Sequence, residues 1–289
     1  MKKIVSLVVA ALVMCSCADS FLSEEPVGEF MPEQVESEEN IEGIVIGAYA
    51  VLDGYYASDA INSGCSNWQF GDVVSDDAYK GGGGTGDQNQ IHLMEIFNAN
   101  PTGIDFEARW AALYEGVKRC NQAIRLLSNS TVKNKEQRLA EMRFLRGHYY
   151  FNLKVIYNLI PWIDETVVDP NEYHTKSNME FTSDQLWEKI LGEFSAAYQV
   201  LPESQSDYGR PTKMAAKAYM AKVYLYQSKW KECLSACDEV IQSGKYTLYP
   251  DFREVFLPEN DNNSEIIFAV QLSINDGASS NQNGSYGDR

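Results

Sequence analysis

Between Lys3 and Lys80 the chain has no lysine or arginine, while fourteen acidic residues fall in that interval. Over all 289 residues, 24 Lys and Arg face 41 Asp and Glu, a formal charge of −17. A surface of that sign repels phosphate backbones, so general nucleic-acid binding is excluded. Histidine is scarce as well. Neither His92, His148 nor His174 belongs to an HExxH metal motif, and no GxSxG nucleophile turn occurs. Cysteine spacing offers no CxxC pair and no zinc-like His partner, so neither a redox couple nor a disulfide framework is indicated. The one long apolar run, Ile4 to Met14, has eleven residues, too few for the ~20 that a membrane-spanning helix needs.

That run follows Met1-Lys2-Lys3 and precedes Met14-Cys15-Ser16-Cys17, the layout of a secretory signal. A small residue before a cysteine at this place looks like a bacterial lipobox. Ser16 precedes Cys17 whereas bulky Met14 precedes Cys15, so Cys17 is the expected lipidation site, with 1–16 as signal peptide. Several acyl chains on one residue give lasting attachment. Residues 17–36 form an acidic leader with Pro26 and Pro32. The acidic run from Glu24 to Glu42 reads as a solvated leader and helix face, or as a docking surface for a basic partner.

Helical spacing begins near Ser37, with Ile41, Ile44, Val45, Ala48, Leu52 and Tyr55 on one stripe. Residues 56–104 read as irregular and contain the Gly81–Gly86 stretch. It is followed by Asp87-Gln88 in place of Lys and Ser/Thr, so a phosphate cradle would lack its cation. Further helices are predicted from about Asp105 to Leu127, Lys135 to Tyr157, Leu186 to Leu201 behind a Thr182–Gln185 capping box, Thr212 to Gln227, and Trp230 to Ser243 with Gly244 as terminator. Trp110, Trp187 and Trp230 lie on helical stripes and are expected in the core, as are Cys233 and Cys237. His148 is expected to be packed among aromatics. The β-rich stretch Glu265 to Ser273 predicts one short strand, and the polar segment 275–289 an unpacked tail.

A degenerate repeat runs through these helices. Ala221 and Tyr224, then Trp230, Cys233 and Cys237, occupy the small and aromatic positions of a tetratricopeptide repeat. Gly147 and Tyr150 repeat the first half, and Ile190, Phe194, Ala197 and Pro202 the second. Arg143, Arg146 and Lys217 stand where apolar residues are expected. The fold class is therefore all-α, built of degenerate tetratricopeptide-like helix pairs with long irregular loops, over 37–274.

Five blocks in order carry a resemblance: Cys17-Ala18-Asp19-Ser20-Phe21-Leu22 with Glu24-Glu25-Pro26; Trp110-x-x-Leu113-Tyr114 with Cys120-Asn121; Arg143-Phe144-Leu145-Arg146-Gly147-His148-Tyr149-Tyr150-Phe151; Gly209-Arg210-Pro211-Thr212-Lys213; and Ser264-Glu265-Ile266-Ile267-Phe268. The chain resembles the SusD/RagB family of outer-membrane nutrient-binding lipoproteins of Bacteroidetes. Members usually run well beyond the last block, so the match is to their N-terminal part, and contacts the family draws from its C-terminal half are absent here. The resemblance implies a surface-exposed lipoprotein, anchored in the outer membrane at Cys17, that sits on a TonB-dependent transporter. Such a protein captures an oligosaccharide, or in some members a peptide, without breaking a bond and without a cofactor.

Sugar recognition needs flat aromatic faces for the pyranose ring, with amides and carboxylates for the hydroxyls, on loops held by a rigid scaffold. The segment 67–90 supplies that mixture. Its candidate ligand-binding residues are Trp68, Asp72, Asp77, Tyr79, Gln88 and Asn89. The alternative is that Trp68 and Asp77 only pin the loop to the helices. A cation held by Asp72, Asp76 and Asp77 has no support in the spacing, and no metal site is assigned. A non-catalytic protein-interaction scaffold is the rival function, since tetratricopeptide-like helices bind proteins widely.

Overall fold

A computed structural model of the chain describes residues 38–54 and 68–271. Expectations for the signal peptide, Cys15, Cys17, the leader, Tyr55, Cys65 and the tail lie outside the described residues. The regular elements described are helical. They are α1 (Glu38–Tyr49), α2 (Asn89–Glu95), α3 (Ile104–Asn129), α4 (Lys135–Tyr157), the single turn α5 (Pro170–Tyr173), α6 (Ser183–Val200), α7 (Lys213–Tyr226) and α8 (Trp230–Gln242). Successive long helices pack side by side: α3 on α4, α4 on α6, α6 on α7 and α7 on α8, with α1 against α3.

The apolar spacing placed the long helices within a few residues of their observed ends, and several ends carry their own signal. Thr182 and Gln185 form a reciprocal capping box at the start of α6, and Thr212 caps α7 through the Ala215 amide. Gly244, at φ +64°, follows α8 in the left-handed conformation that ends helices.

Helix α4 lies at the centre, with α3 and α6 both packed on it, so it is buried on opposite faces. Phe144, Leu145, Tyr149, Tyr150 and Leu153 are all closed to solvent. Two close approaches follow from missing side chains. A β-carbon on Gly116 of α3 would stand 2.6 Å from the Tyr149 ring, and one on Gly147 would stand 2.9 Å from Phe194 of α6. Gly147 thus holds the small position that the repeat pattern assigns to it, and Phe194 fills the space beside it. Phe144 extends this aromatic seam, meeting Phe194, Tyr219 and Phe268 edge-on at 5.0–5.7 Å.

Both arginines that break the repeat pattern are ion partners, Arg146 buried and Arg143 half-exposed, 3.4 Å from Glu193. Arg146 is 2% exposed and donates to both carboxylate oxygens of Glu193 at 2.8 and 3.1 Å, to Asn121 at 2.8 Å and to Glu165. A second network centres on Glu141, fully enclosed on α4. It accepts from Arg138 at 2.7 Å, Arg210 at 2.8 Å, Tyr49 at 3.0 Å and Gln137 at 3.2 Å. Arg138 and Arg210 also bind Glu42 of α1. Glu42, read in sequence as the end of a solvated acidic run, is therefore a structural partner of the Gly-Arg-Pro-Thr block.

Four expectations are corrected. Of the tryptophans expected in the core, Trp230 is 64% exposed and Trp110 half-buried, and Cys233 and Cys237 are only half-buried. Trp230 and both cysteines sit on α8, which among the described residues packs chiefly against α7 and buries only Ala236 and Val240. The stretch 265–271 forms no strand, since no extended segment lies along it among the described residues; a lone Thr247 amide bonds the Ser264 carbonyl nearby. The span read as irregular contains α2 and a helical turn at Trp68–Asp72.

Candidate functional site

The candidate loop is held at both ends and open between them. At its start, Trp68–Asp72 winds into one wide turn closed by the Val73 amide on the Trp68 carbonyl at 2.8 Å. Gln69 and Val73 are buried beneath it. The Phe70 ring stands edge-on to Phe106 of α3 at 5.6 Å, and the Arg109 guanidinium lies 5.6 Å from the same ring. At the far end, Ile91 and Met94 bury one side of α2. Seven residues with two apolar anchors make a helix only because the body supplies the surface they cover.

Between these anchors the glycines close around a cation of the loop's own. Lys80 Nζ donates to the Gly84 carbonyl at 2.9 Å and to the Asp87 carbonyl, while the Gly83 amide donates to Asp87 Oδ2 at 2.9 Å. Gly81, Gly82 and Gly84 take φ values of +68°, +76° and +120°, which glycine alone adopts without strain. The loop's carbonyls are thus engaged by Lys80 and the Gly83 amide by Asp87, an arrangement closed on itself and not a phosphate cradle. The Lys80 amide is tied to Glu95 Oε1 at 3.0 Å, and His92 Nδ1 meets Glu95 Oε2 at 3.1 Å. The Lys80 amide bond and the His92 bond hold the Glu95 carboxyl below its ordinary range. Sequence reading missed this clasp, whose one legible sign was a lysine directly ahead of the glycines.

The predicted site residues divide by environment. Tyr79 is 82% exposed, its ring standing clear of the body beside the clasp. Asp72, Asp77, Gln88 and Asn89 are exposed, and Trp68 is half-buried at the root of the first turn. Asp77 accepts from Ser75 at 3.2 Å, and the Asp72 carbonyl accepts from the Ala78 amide at 3.0 Å, so both shape the turn that presents Tyr79. Gln88, at φ +50°, forms the bend into α2, and Asn89 donates to the Thr85 carbonyl at 3.1 Å. The loop brings one open aromatic face to the same segment as exposed carboxylates and amides. Among the described residues, no group of three His, Cys, Asp or Glu is placed to hold a metal ion.

A family described as "SusD-like, starch-binding associating with outer membrane" matches residues 20–225. The chain belongs to the SusD-like family. Its curated relatives include SusD-like protein P25 of Formosa agariphila, 23% identical over 94% of this chain and 52% of that one. A SusD-like protein of Bacteroides ovatus is 24% identical over 93% and 49%. Among solved structures, surface glycan-binding protein A of Bacteroides thetaiotaomicron in complex with laminarihexaose superposes with a TM-score of 0.67 at 28% identity. It covers 82% of this SusD-like chain and 50% of that one. The corresponding protein of Bacteroides fluxus gives 0.71 at 29% identity, covering 86% and 53%. The chain spans about half the length of the relatives it matches.

The helical scaffold is thus the tetratricopeptide-like body of SusD-like proteins. His148 illustrates how its most recognisable block is used. Its ring is largely enclosed, with Nδ1 2.7 Å from the Tyr219 hydroxyl and Nε2 facing the Asn152 amide at 3.4 Å. Burial first, then the nearby Arg109 and Lys222 charges, lower its pKa from 6.5 to about 3. It is a neutral packing residue, as its aromatic surroundings in sequence predict.

Proposed function

We propose that this SusD-like chain captures oligosaccharides at the cell surface without cleaving them, using the loop of residues 68–89. The observation that carries this reading is the relative solved with laminarihexaose, whose fold this chain shares over 82% of its length at 28% identity. The exposed Tyr79 ring provides a flat apolar face for a pyranose, and Asp72, Asp77, Gln88 and Asn89 provide hydroxyl partners around it. The clasp on Lys80 and the anchors under Phe70, Ile91 and Met94 hold these groups in place before a ligand arrives, which reduces the ordering cost of binding. A lipid on Cys17 would retain the protein at the outer membrane, and a TonB-dependent transporter would receive the glycan. Such a chain needs no cofactor.

Affinity electrophoresis of the chain beginning at Ala18, run in gels containing plant, algal or host glycans, tests this. Retardation by one glycan class, lost in Trp68→Ala and with no release of reducing sugar, is expected. A folded chain that no glycan retards would favour a protein-interaction scaffold, and retardation by peptide ligands would redirect the reading to peptide capture. Release of sugar would contradict the non-catalytic assignment.

A further inference from the structure

The groups that would hold an anion are already engaged inside the loop of residues 68–89. Between residues 4 and 108, Lys80 is the only lysine or arginine. Its ammonium is turned onto its own loop, where the Gly84 and Asp87 carbonyls hold it. Backbone amides of a glycine run are the other common cradle for an anion. Here the Gly83 amide donates to Asp87 Oδ2, whose carboxylate lies against Gly82, and the Lys80 amide donates to Glu95 Oε1. His92 meets the same Glu95 carboxylate at 3.1 Å. Arg109, the next cation along the chain, is buried and donates to Asn152 at 3.3 Å.

What the loop turns outward has the opposite sign. Asp72, Asp76, Asp77 and Asp87 are exposed on the segment that carries the open Tyr79 ring. An ionised carboxylate only accepts hydrogen bonds, so its partner must donate. The hydroxyls of a neutral sugar do so. A uronate or a sulfate ester offers acceptor oxygens there and adds a charge of the same sign. Asp77 and Asp76 lie two and three residues from Tyr79, at most ~7 and ~11 Å along the chain. A Debye length of ~8 Å at physiological salt leaves much of that repulsion unscreened.

We propose that this loop selects neutral oligosaccharides and rejects acidic ones, an inference that rests on the capture reading above. Lys80 is a positioning residue in it, a cation that shapes the loop and meets no ligand charge. Affinity electrophoresis of the chain beginning at Ala18 tests this, in gels containing laminarin, xylan or galactomannan beside the sulfated form of each. Retardation by a neutral polymer is expected, with retardation by its sulfated form weaker by about tenfold or more. Asp76→Asn should leave neutral binding within about twofold, and Asp76→Lys should recover retardation by the sulfated polymer. Glu188→Lys, an exposed change of equal charge on α6, should recover none, which separates the loop's field from the net charge of −17. Lys80→Met should weaken neutral binding by about threefold or more, with Lys80→Arg, which keeps the charge, in between. Equal or stronger retardation by sulfated polymers would overturn the selection and leave capture standing, as would rescue by Glu188→Lys that matches Asp76→Lys. Loss of sulfated binding alone in Lys80→Met would make Lys80 an anion contact and overturn it too. A folded chain that neither form of any polymer retards would remove the capture reading and this inference together.

Discussion

At the scale of single residues, buried charge does two kinds of work in this scaffold. Arg146 ties α4 to Glu193 of α6, to Glu165 and to Asn121 of α3, so one guanidinium links three helices and a loop. Burial alone would raise the Glu165 carboxyl, yet the Arg146 charge and hydrogen bond outweigh it and hold the group below its ordinary range. Arg146→Met is expected to cost about 3 kcal/mol, since it leaves the buried Glu193 charge with only the longer Arg143 contact at 3.4 Å. Arg146→Met combined with Glu193→Leu should cost less than the single change. Urea denaturation of the three proteins measures both, and additive costs would contradict the paired arrangement. His148 makes a different prediction. The unfolded chain takes up its proton near pH ~6.5 and the folded chain only near about 3. Between those values the unfolded state binds more protons, so the stability present above ~6.5 is lost as pH falls. His148→Gln keeps a hydrogen-bonding side chain and removes that titration. The pH slope of its unfolding free energy between about pH 6 and pH 4 should be shallower by about 1.4 kcal/mol per pH unit, and an unchanged slope would show that the imidazole is not held neutral.

At the scale of elements, close approach of helices depends on small residues. Gly147→Ala would ordinarily favour a helix by about 0.5–1 kcal/mol. Here the new methyl meets the Phe194 ring and Glu193 Cβ at 2.9–3.2 Å, and an overpacked seam costs about 1–3 kcal/mol. A net loss of stability is expected in thermal unfolding, and a gain would show that α6 shifts freely. Helices of this length were legible in sequence, because Leu113, Val117, Cys120, Ile124 and Leu127 repeat at three and four and Thr182, Thr212 and Gly244 mark the ends. Helix α2 was not, because three apolar residues within a span of seven define no period. The Glu42–Arg210 pair spans most of the chain, and local pattern carries no trace of such a partner. Trp230 and Phe194 look alike in sequence, since spacing shows a stripe and not which neighbour covers it. The β-rich run after Ser264 failed as a strand for the same reason, as strands need neighbours that composition does not supply.

At the scale of the whole molecule, a body of stacked helices carries one clasped loop with an exposed tyrosine, the loop on which the proposed function places the sugar. The five blocks quoted from sequence identified the family, yet only the structure separates the exposed Tyr79 from the half-buried Trp68 at the loop's root. Tyr79 is therefore the sharper test of where a sugar ring would stack. Calorimetric titration of laminarihexaose into the chain beginning at Ala18, repeated with Tyr79→Ala, addresses the central claim directly. The account predicts saturable binding that weakens by about tenfold or more in Tyr79→Ala, with unchanged thermal stability, as loss of a stacking face from an exposed loop requires. Equal affinity in the two proteins would contradict placement of the site in this loop, and absence of binding to laminarihexaose and to every other glycan tested would contradict capture itself.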